Sequence, residues 1–180
     1  MSAKKWKLVR RMLELQSAWV TVYADQMIDN NGHELEYWHV DRADSVIVIA
    51  IHQGHFLLPE PTYRPGVDET TVDFAGSRIA DKQTPEEAAL AVLKRELGIG
   101  RAQLTSLEPI TKQPLHVDSS FSSQKLYSFV AEIANDATPS PAVRVHPLSK
   151  IEPLRQKLHC LQCRAILNEF VLQWQRELLS

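Results

Sequence analysis

The chain has 180 residues, of which 44% are hydrophobic and 23% are charged, proportions typical of a folded globular protein. Lys and Arg total 20 against 22 Asp and Glu, so the net charge of −2 provides no basic field for nucleic acid or an anionic membrane. The longest wholly apolar run, Val46–Ile51, is far shorter than the roughly 20 residues of a membrane helix. The basic start is not followed by an apolar stretch of signal-peptide type. We therefore expect a cytoplasmic protein with no nucleic-acid or membrane partner.

Two β-hairpins are predicted in the first third of the chain. Trp19–Met27 and His33–Val40 alternate between apolar and polar residues on either side of an Asn-Asn-Gly turn. Val46–Ile51 and His55–Leu58 form a second, more apolar pair around Gln-Gly. The first hairpin is predicted to form an N-terminal arm, residues 1–42, ahead of a domain that spans residues 43–180.

The middle of the chain is predicted to contain a surface loop, a turn, one helix and two strands. Pro59–Asp73 is rich in proline and suits an extended loop, and Phe74–Ser77 has the small residues of a turn. The helix begins at the N-cap Thr84 and ends before Gly98, and Glu87 completes a capping box. The strands are predicted at Leu104–Ile110 and Lys125–Ile133.

The C-terminal part is predicted to be a connection, Asp136–Pro147, followed by one long helix. Apolar residues recur in that helix at helical spacing, so one face must pack against the domain or against a partner helix. The residues of that face are Ile151, Leu154, Leu158, Leu161, Ala165, Phe170, Trp174 and Leu178.

Cys160 and Cys163 lie in this predicted helix, spaced C-x-x-C beside His159. Such spacing occurs in zinc sites and in redox pairs. A zinc site needs about four ligands, and no second pair with suitable spacing is present in the sequence. We interpret the two cysteines as reduced thiols on a packed helix.

Glu96 occupies an unusual position near the end of the first predicted helix. It lies at the edge of the apolar stripe and at the negative end of the helix dipole, where a cation is preferred. A positive group is therefore expected beside it. That group is either Arg95, Arg101 or Arg78 in an ion pair, or a metal ion at a catalytic site.

The segment around this helix resembles the signature of Nudix hydrolases. The resemblance runs from Ala75 through Thr84–Ala89 to Ile99. The family pattern is G-x5-E-x7-R-E-U-x-E-E-x-G-U, where U is a bulky aliphatic residue. The aliphatic positions, Glu96 and the closing Gly98-Ile99 match it. The resemblance implies a fold of the α/β (α+β) class, a Nudix-type mixed sheet sandwiched between helices, with an N-terminal hairpin extension.

The signature is degenerate, because several of its residues are replaced. In the family its glutamates bind Mg²⁺ or Mn²⁺, and one often orients the water that attacks a diphosphate. Only Glu96 remains of the helix carboxylates that the pattern requires. The replacements are Ser77 at the first glycine, Gln83 at the first glutamate, Ala91 and Val92 at the Arg-Glu pair, and Arg95 at the first of the two adjacent glutamates.

The rest of the chain resembles the ADP-ribose pyrophosphatase branch of that family. An N-terminal hairpin often helps to build a dimer in this branch, which implies a homodimer here. A Tyr-Arg pair precedes the signature, as Tyr63-Arg64 does in this sequence. A loop before the last core strand often supplies a further catalytic glutamate. The corresponding loop here is 118–124, and Gln124 stands where that acid is expected.

The resemblance also implies a set of site residues. Glu96 is the catalytic residue, and Glu96 with the carbonyl of Ala75 and water would hold Mg²⁺ or Mn²⁺. Asp73, Asp81 or Asp118 would add an oxygen if the fold brings it close. The residues expected to bind substrate phosphates are Arg64, Arg78 and Arg95. Arg95 would compete with the cation at Glu96, or would itself clamp a phosphate without metal.

Three functions follow from these features. The first is hydrolysis of a nucleoside diphosphate linked to another moiety, of the ADP-ribose or nucleotide-sugar class. The alternative is a non-catalytic Nudix-fold module that binds a phosphorylated nucleotide ligand through its arginines. The third is an interaction protein whose hairpin and C-terminal helix serve oligomerisation.

Overall fold

A computed structural model describes residues 5–179 of the chain and the side chains of residues 5–173. Within that range, no helix combines the length and the apolar character needed to cross a membrane. The strands are β1 (Lys7–Gln16), β2 (Thr21–Ile28), β3 (Glu34–Asp41), β4 (Ser45–His52), β5 (His55–Leu58), β6 (Thr62–Arg64), β7 (Glu69–Thr71), β8 (Ala75–Arg78), β9 (Leu104–Pro109), β10 (Leu115–His116), β11 (Lys125–Ile133) and β12 (Arg144–Pro147). The α-helices are α1 (Pro85–Val92), α2 (Ile151–Lys157) and α3 (Leu161–Leu179).

The chain divides into two compact units. One unit comprises the residues up to Ala43 together with His116–Lys125, and the other comprises Asp44–Leu115 and the chain from Leu126 onward. The first unit therefore takes in a segment from the middle of the sequence. The predicted division of function between residues 1–42 and 43–180 stays a prediction.

The first unit contains an antiparallel sheet in the order β1-β2-β3. Strands β2 and β3 confirm the predicted first hairpin, and Gly32 in its turn has φ +85°, a backbone angle that favours glycine. Strand β1 was not predicted. Its pairing with β2 shifts register between Leu8 and Arg10 and again between Arg11 and Leu13. These bulges break the alternation by which a strand is recognised in a sequence.

The segment 116–125 joins the first unit through backbone bonds to β3 and the residues after it. The N–H of Val40 donates to the carbonyl of Phe121 at 2.8 Å, and the N–H of Ser123 donates to the carbonyl of Val40 at 3.1 Å. The buried side chain of Gln124 donates from Nε2 to the carbonyl of Ala43 at 3.0 Å. Gln124 is thus a structural residue of this unit.

The second unit contains a mixed sheet in the order β10-β11-β4-β5-β12. Strand β4 pairs with β11 in parallel, whereas the pairs β4–β5, β5–β12, β9–β11 and β4–β8 are antiparallel. Strand β8 pairs with residues 45–48 of β4, and β5 pairs with residues 50–52. Consequently β8 and β5 share one edge of β4, and the opposite edge of β8 is available to the helix that follows.

The two faces of this sheet are covered by different helices. Alternate residues of β4, from Val46 to Ala50, form one buried cluster with Ala89 and Val92 of α1. On the other face, Phe56 packs edge-on against Phe170 of α3, with ring centroids 6.0 Å apart. The sheet therefore lies between helices, as the sequence predicts.

Two predictions for the middle of the chain are wrong. Phe74–Ser77 is not a turn, since its last three residues begin the paired strand β8. Pro59–Asp73 is not wholly extended loop, because β6 and β7 pair within it. In both places the partner strand supplies backbone hydrogen bonds that composition cannot reveal.

The predicted long C-terminal helix is two helices. Helix α2 ends at Lys157 and α3 begins at Leu161, so Cys160 precedes the second helix instead of lying inside one. Leu154, Leu158 and Phe170 of the predicted apolar face are buried, but Leu161 is 78% exposed. The predicted contacts of the side chains at 174 and 178 lie outside the described residues.

Candidate functional site

The candidate site is positioned by a helix whose start was predicted correctly. Thr84 is its N-cap and accepts a hydrogen bond from the N–H of Glu87 at 3.2 Å. Glu87 Oε2 accepts in turn from the N–H of Thr84 at 2.8 Å, a bond that holds the pKa of Glu87 below its ordinary value. Pro85 occupies the first helical position. The capping box fixes where the helix begins, and hence which residues face β8 at its end.

The last turn of this helix, Leu93–Leu97, is a π-helical turn. It ends at Gly98, which has φ +74° and whose N–H bonds to the carbonyl of Leu93. A side chain at Gly98 would also lie 3.2 Å from the backbone nitrogen of Ser140. Single π-turns inside α-helices are frequent at functional sites, and this one carries both Arg95 and Glu96.

Glu96 reaches the outer edge of β8. Its Oε2 accepts a hydrogen bond from the N–H of Gly76 at 3.2 Å, while Gly76 pairs with Ile47 across the inner edge. A Cβ at Gly76 would lie 3.1 Å from the carbonyl oxygen of Val46. The close approach of β8 to β4 at this point therefore favours glycine.

Arg95 supplies the positive group that the position of Glu96 demands. Its Nη2 donates to Glu96 Oε1 at 2.5 Å and to the carbonyl oxygen of Gly76 at 3.3 Å. This bears out one of the alternatives left open by the sequence, the ion pair with Arg95. Arg101, the second alternative, pairs with Glu86 at 3.0 Å.

The guanidinium of Arg95 contacts two oxygens, Glu96 Oε1 and the carbonyl oxygen of Gly76. Mg²⁺ takes about six oxygen ligands in near-ideal octahedral geometry. Among the described residues, no group of three His, Cys, Asp or Glu side chains includes Glu96. Mg²⁺ can be held by one or two carboxylates, with water and substrate phosphates as its other ligands. Here a positive side chain already meets the carboxylate of Glu96, so a resident divalent cation fits the site only if Arg95 leaves it.

The other predicted site residues lie in several places. Arg64, in β6, donates to Asp73 Oδ2 from Nη2 at 2.9 Å. Arg78 lies at the exposed end of β8, two residues beyond Gly76. Asp81 is exposed, and Asp118 accepts hydrogen bonds from Ser120. The predicted metal-binding role of the Ala75 carbonyl stays a prediction, while the carbonyl that contacts Arg95 is that of Gly76.

Two features of the second unit were missed by the sequence reading. The first is the carbonyl of Gly76, which accepts a hydrogen bond from Arg95. The presence of a glycine at this position could have indicated a close approach of the backbone. The second is a cluster of Asp73, Cys160 and Cys163, whose ligand atoms all lie within 4.8 Å of one another. No signal in the sequence links position 73 to positions 160 and 163, because the cluster forms only when the chain folds.

The architecture of the chain also occurs in a protein of known structure. No protein family model and no curated protein sequence matches the chain. The structure matches 267 solved chains, and one of these is described as the crystal structure of an ADP compounds hydrolase. It superposes with a TM-score of 0.78 at 19% sequence identity, covering 98% of this chain and 97% of that one. The likeness establishes the mixed α+β fold of Nudix type that the sequence predicts.

Proposed function

We propose that this Nudix-fold protein binds a compound containing a nucleoside diphosphate, and that Arg95 clamps its phosphate without a resident divalent cation. The observation that carries the proposal is the bridging position of Arg95 between Glu96 and Gly76. This is the second of the functions that the sequence left open, the binding module.

The chemistry of Arg95 suits this role. A guanidinium has five N–H donors in a planar fork that matches phosphate. Both bonds to Glu96 and Gly76 use Nη2, so the other donors of the fork point elsewhere. The side chain is 56% exposed. Glu96 and the backbone of β8 act as positioning groups, which hold the guanidinium in one orientation.

The resemblance and the fold support this ligand class. The neighbour of similar fold is described as a hydrolase of ADP compounds. The sequence resembles the ADP-ribose pyrophosphatase branch, so ADP-ribose and nucleotide sugars are the first ligands to test. Arg78 lies on the same strand as Gly76 and is a second phosphate contact in this proposal. Arg64 is paired with Asp73, and its predicted contact with phosphate stays a prediction.

Calorimetry in the presence of a chelator tests this function. ADP-ribose should bind wild-type protein without divalent metal, and Arg95→Ala should weaken binding by about tenfold or more, the scale of one charged hydrogen-bonded contact. Lys94→Ala is the matched control, because Lys94 is the neighbouring exposed cation of the same turn. Equal affinities for the Arg95→Ala and Lys94→Ala variants would contradict the proposal.

Hydrolysis of the diphosphate is the second candidate, favoured by the neighbour of similar fold. It requires Arg95 to leave Glu96, and Mg²⁺ or Mn²⁺ remains the predicted cofactor in that case. Incubation of ADP-ribose and nucleotide sugars with either metal ion tests it. Turnover above that of a Glu96→Gln variant would support catalysis, and turnover equal to the variant's would leave binding alone.

We also propose that the protein is a homodimer formed through β1. Every residue of this strand is exposed, including Leu8, Val9 and Leu13. A long edge strand with exposed apolar side chains favours pairing with another chain. In this proposal the N-terminal arm serves oligomerisation, and the rest of the chain binds the ligand. The cytoplasmic location stays a prediction.

A further inference from the structure

A compact group of soft and acidic ligand atoms lies at the start of α3. Asp73, Cys160 and Cys163 each offer one atom, and these atoms all lie within 4.8 Å of one another. Cys163 Sγ lies 3.8 Å from Asp73 Oδ1. In a tetrahedral zinc site, with bonds of about 2.0 to 2.3 Å, neighbouring ligand atoms are separated by about 3.5 to 3.8 Å. The separation of Cys163 Sγ and Asp73 Oδ1 therefore equals that of neighbouring ligands in a zinc site, and Cys160 Sγ lies within 4.8 Å of both atoms.

The surroundings orient each of these ligand atoms. Asp73 Oδ2 accepts bonds from Thr71 Oγ1 at 2.8 Å and from Arg64 Nη2 at 2.9 Å, which turns Oδ1 towards the thiols. Backbone N–H groups of residues 162 and 163 donate to the sulfur of Cys160, and that of residue 74 donates to the sulfur of Cys163. Metal ligands in proteins are oriented by hydrogen bonds of this kind.

The charge of the group points to a cation. Asp73 places a carboxylate next to two thiols in a largely buried group, so ionisation of both thiols would gather three negative charges there. The same carboxylate is favourable when a metal ion holds all three groups.

We propose that Asp73, Cys160 and Cys163 bind one Zn²⁺-like divalent ion, with water in the fourth position. Cys163 is 2% exposed, whereas Cys160 is only half-buried, so solvent reaches the site from the side of Cys160. With both thiols ionised the three ligands carry three negative charges, which the ion and Arg64 would together neutralise. None of these ligands belongs to the Glu96–Arg95 group, so the proposal is independent of the proposed function.

Titration of reduced, chelator-treated protein with Co²⁺, followed by displacement with Zn²⁺, tests the site. One Co²⁺ per chain should give thiolate-to-cobalt charge-transfer absorption and the visible bands of tetrahedral cobalt. Cys160→Ser should weaken binding by at least about tenfold and reduce the charge-transfer band, and Asp73→Asn should weaken binding to a similar extent. Asp68→Asn is the matched control, because Asp68 is a carboxylate of the preceding β6–β7 hairpin and contacts Tyr63 instead.

A measurement on wild-type protein keeps the test decisive if the variants fail to fold. One equivalent of Zn²⁺ should slow the reaction of both thiols with an aromatic disulfide reagent by at least about tenfold, and a chelator should restore the rate. Thiols that react equally fast with and without Zn²⁺ would overturn the proposal. So would the absence of a charge-transfer band, or an Asp73→Asn variant that binds Co²⁺ as tightly as wild type.

Discussion

Arg95 and Gly76 decide the chemistry of the candidate site at the scale of single residues. The guanidinium bonds to Glu96 and to the carbonyl of Gly76, and glycine at position 76 lets β8 approach β4 closely. In the family that the sequence resembles, the position of Arg95 holds a glutamate. In the proposed function, this one difference would exchange a metal-binding anion for a phosphate-binding cation.

We expect Arg95→Glu to create a divalent-cation site. The substitution removes the guanidinium and places a second carboxylate beside Glu96, and affinity for Mg²⁺ or Mn²⁺ rises with the number of charged ligands. Mn²⁺ binding, followed by electron paramagnetic resonance, should tighten on the order of tenfold relative to wild type. Lys94→Glu makes the same change of charge one residue earlier, and equal Mn²⁺ affinity in both variants would contradict this account of Arg95.

Gly76→Ala should destabilise the protein. Its Cβ would meet the backbone oxygen of Val46 at 3.1 Å and Ile47 Cγ1 at 3.4 Å, and overpacking of this kind costs about 1–3 kcal/mol. Gly66→Ala is the control, because nothing lies within 4 Å of the Cβ position there. Urea unfolding measures both variants, and a Gly76→Ala protein as stable as Gly66→Ala would show that β8 can shift.

At the scale of elements, the sequence predicted the turns and the helix start, whose conformation depends on residues close together in the chain. The hairpin turns and the capped start of α1 were predicted because glycine, asparagine and capping residues restrict the backbone at those points. Strand β1 was missed because its bulges interrupt the alternation. The break between α2 and α3 was missed because it contains no glycine, and because the proline nearby, Pro153, lies inside α2.

The candidate site, like the fold, was predictable from the sequence only where neighbouring residues determine the contacts. The position of Glu96 on its helix indicated a positive partner, and Arg95 is that partner. The fold brings Asp73 to Cys163, 90 residues away in sequence. A contact over such a separation depends on the pairing of β8 and the packing of α3. Neither of these produces a recognisable pattern in the sequence around position 73.

An ionic network around the buried Asp25 should make the stability of the first unit depend on pH. Asp25 Oδ1 accepts from Arg11 Nε at 2.9 Å, and Asp25 Oδ2 lies 2.9 Å from His39 Nε2. The guanidinium of Arg11 also lies 3.9 Å from the ring centroid of Tyr23. The hydrogen bond from Arg11, and secondarily that from His39, holds the pKa of Asp25 below its ordinary value.

Asp25→Asn should lower the melting temperature at neutral pH. Because the pKa of Asp25 is lower in the folded state, its ionisation stabilises the fold above the unfolded pKa of about 3.9. That contribution is lost as the pH falls through the folded pKa. The difference in melting temperature between wild type and variant should therefore shrink below pH 4 or so. Glu34→Gln, an exposed change on β3, serves as the control, and a difference that grew in acid would contradict the prediction.

At the scale of the whole molecule, β1 should determine the oligomeric state. Leu13→Asp places a charge on the exposed apolar strand, where it would be desolvated in the proposed dimer. We expect wild-type protein to sediment as a dimer at micromolar concentration and the Leu13→Asp variant to sediment as a monomer. Val67→Asp alters an equally apolar exposed position in the β6–β7 connection and should leave the dimer intact. A dimeric Leu13→Asp protein would place the interface elsewhere.

The segment 116–125 belongs to the first unit although 72 residues separate it from Ala43 in the chain. Deleting the first 43 residues would therefore not cut the protein at a natural boundary. The shortened chain would lose the acceptor of the Gln124 side chain and the backbone bonds to Val40, exposing polar groups of that segment to solvent and to proteases. Evolution of the N-terminal part and of this inserted segment should consequently be coupled, and exchange of one between related proteins should fail unless the other is exchanged with it.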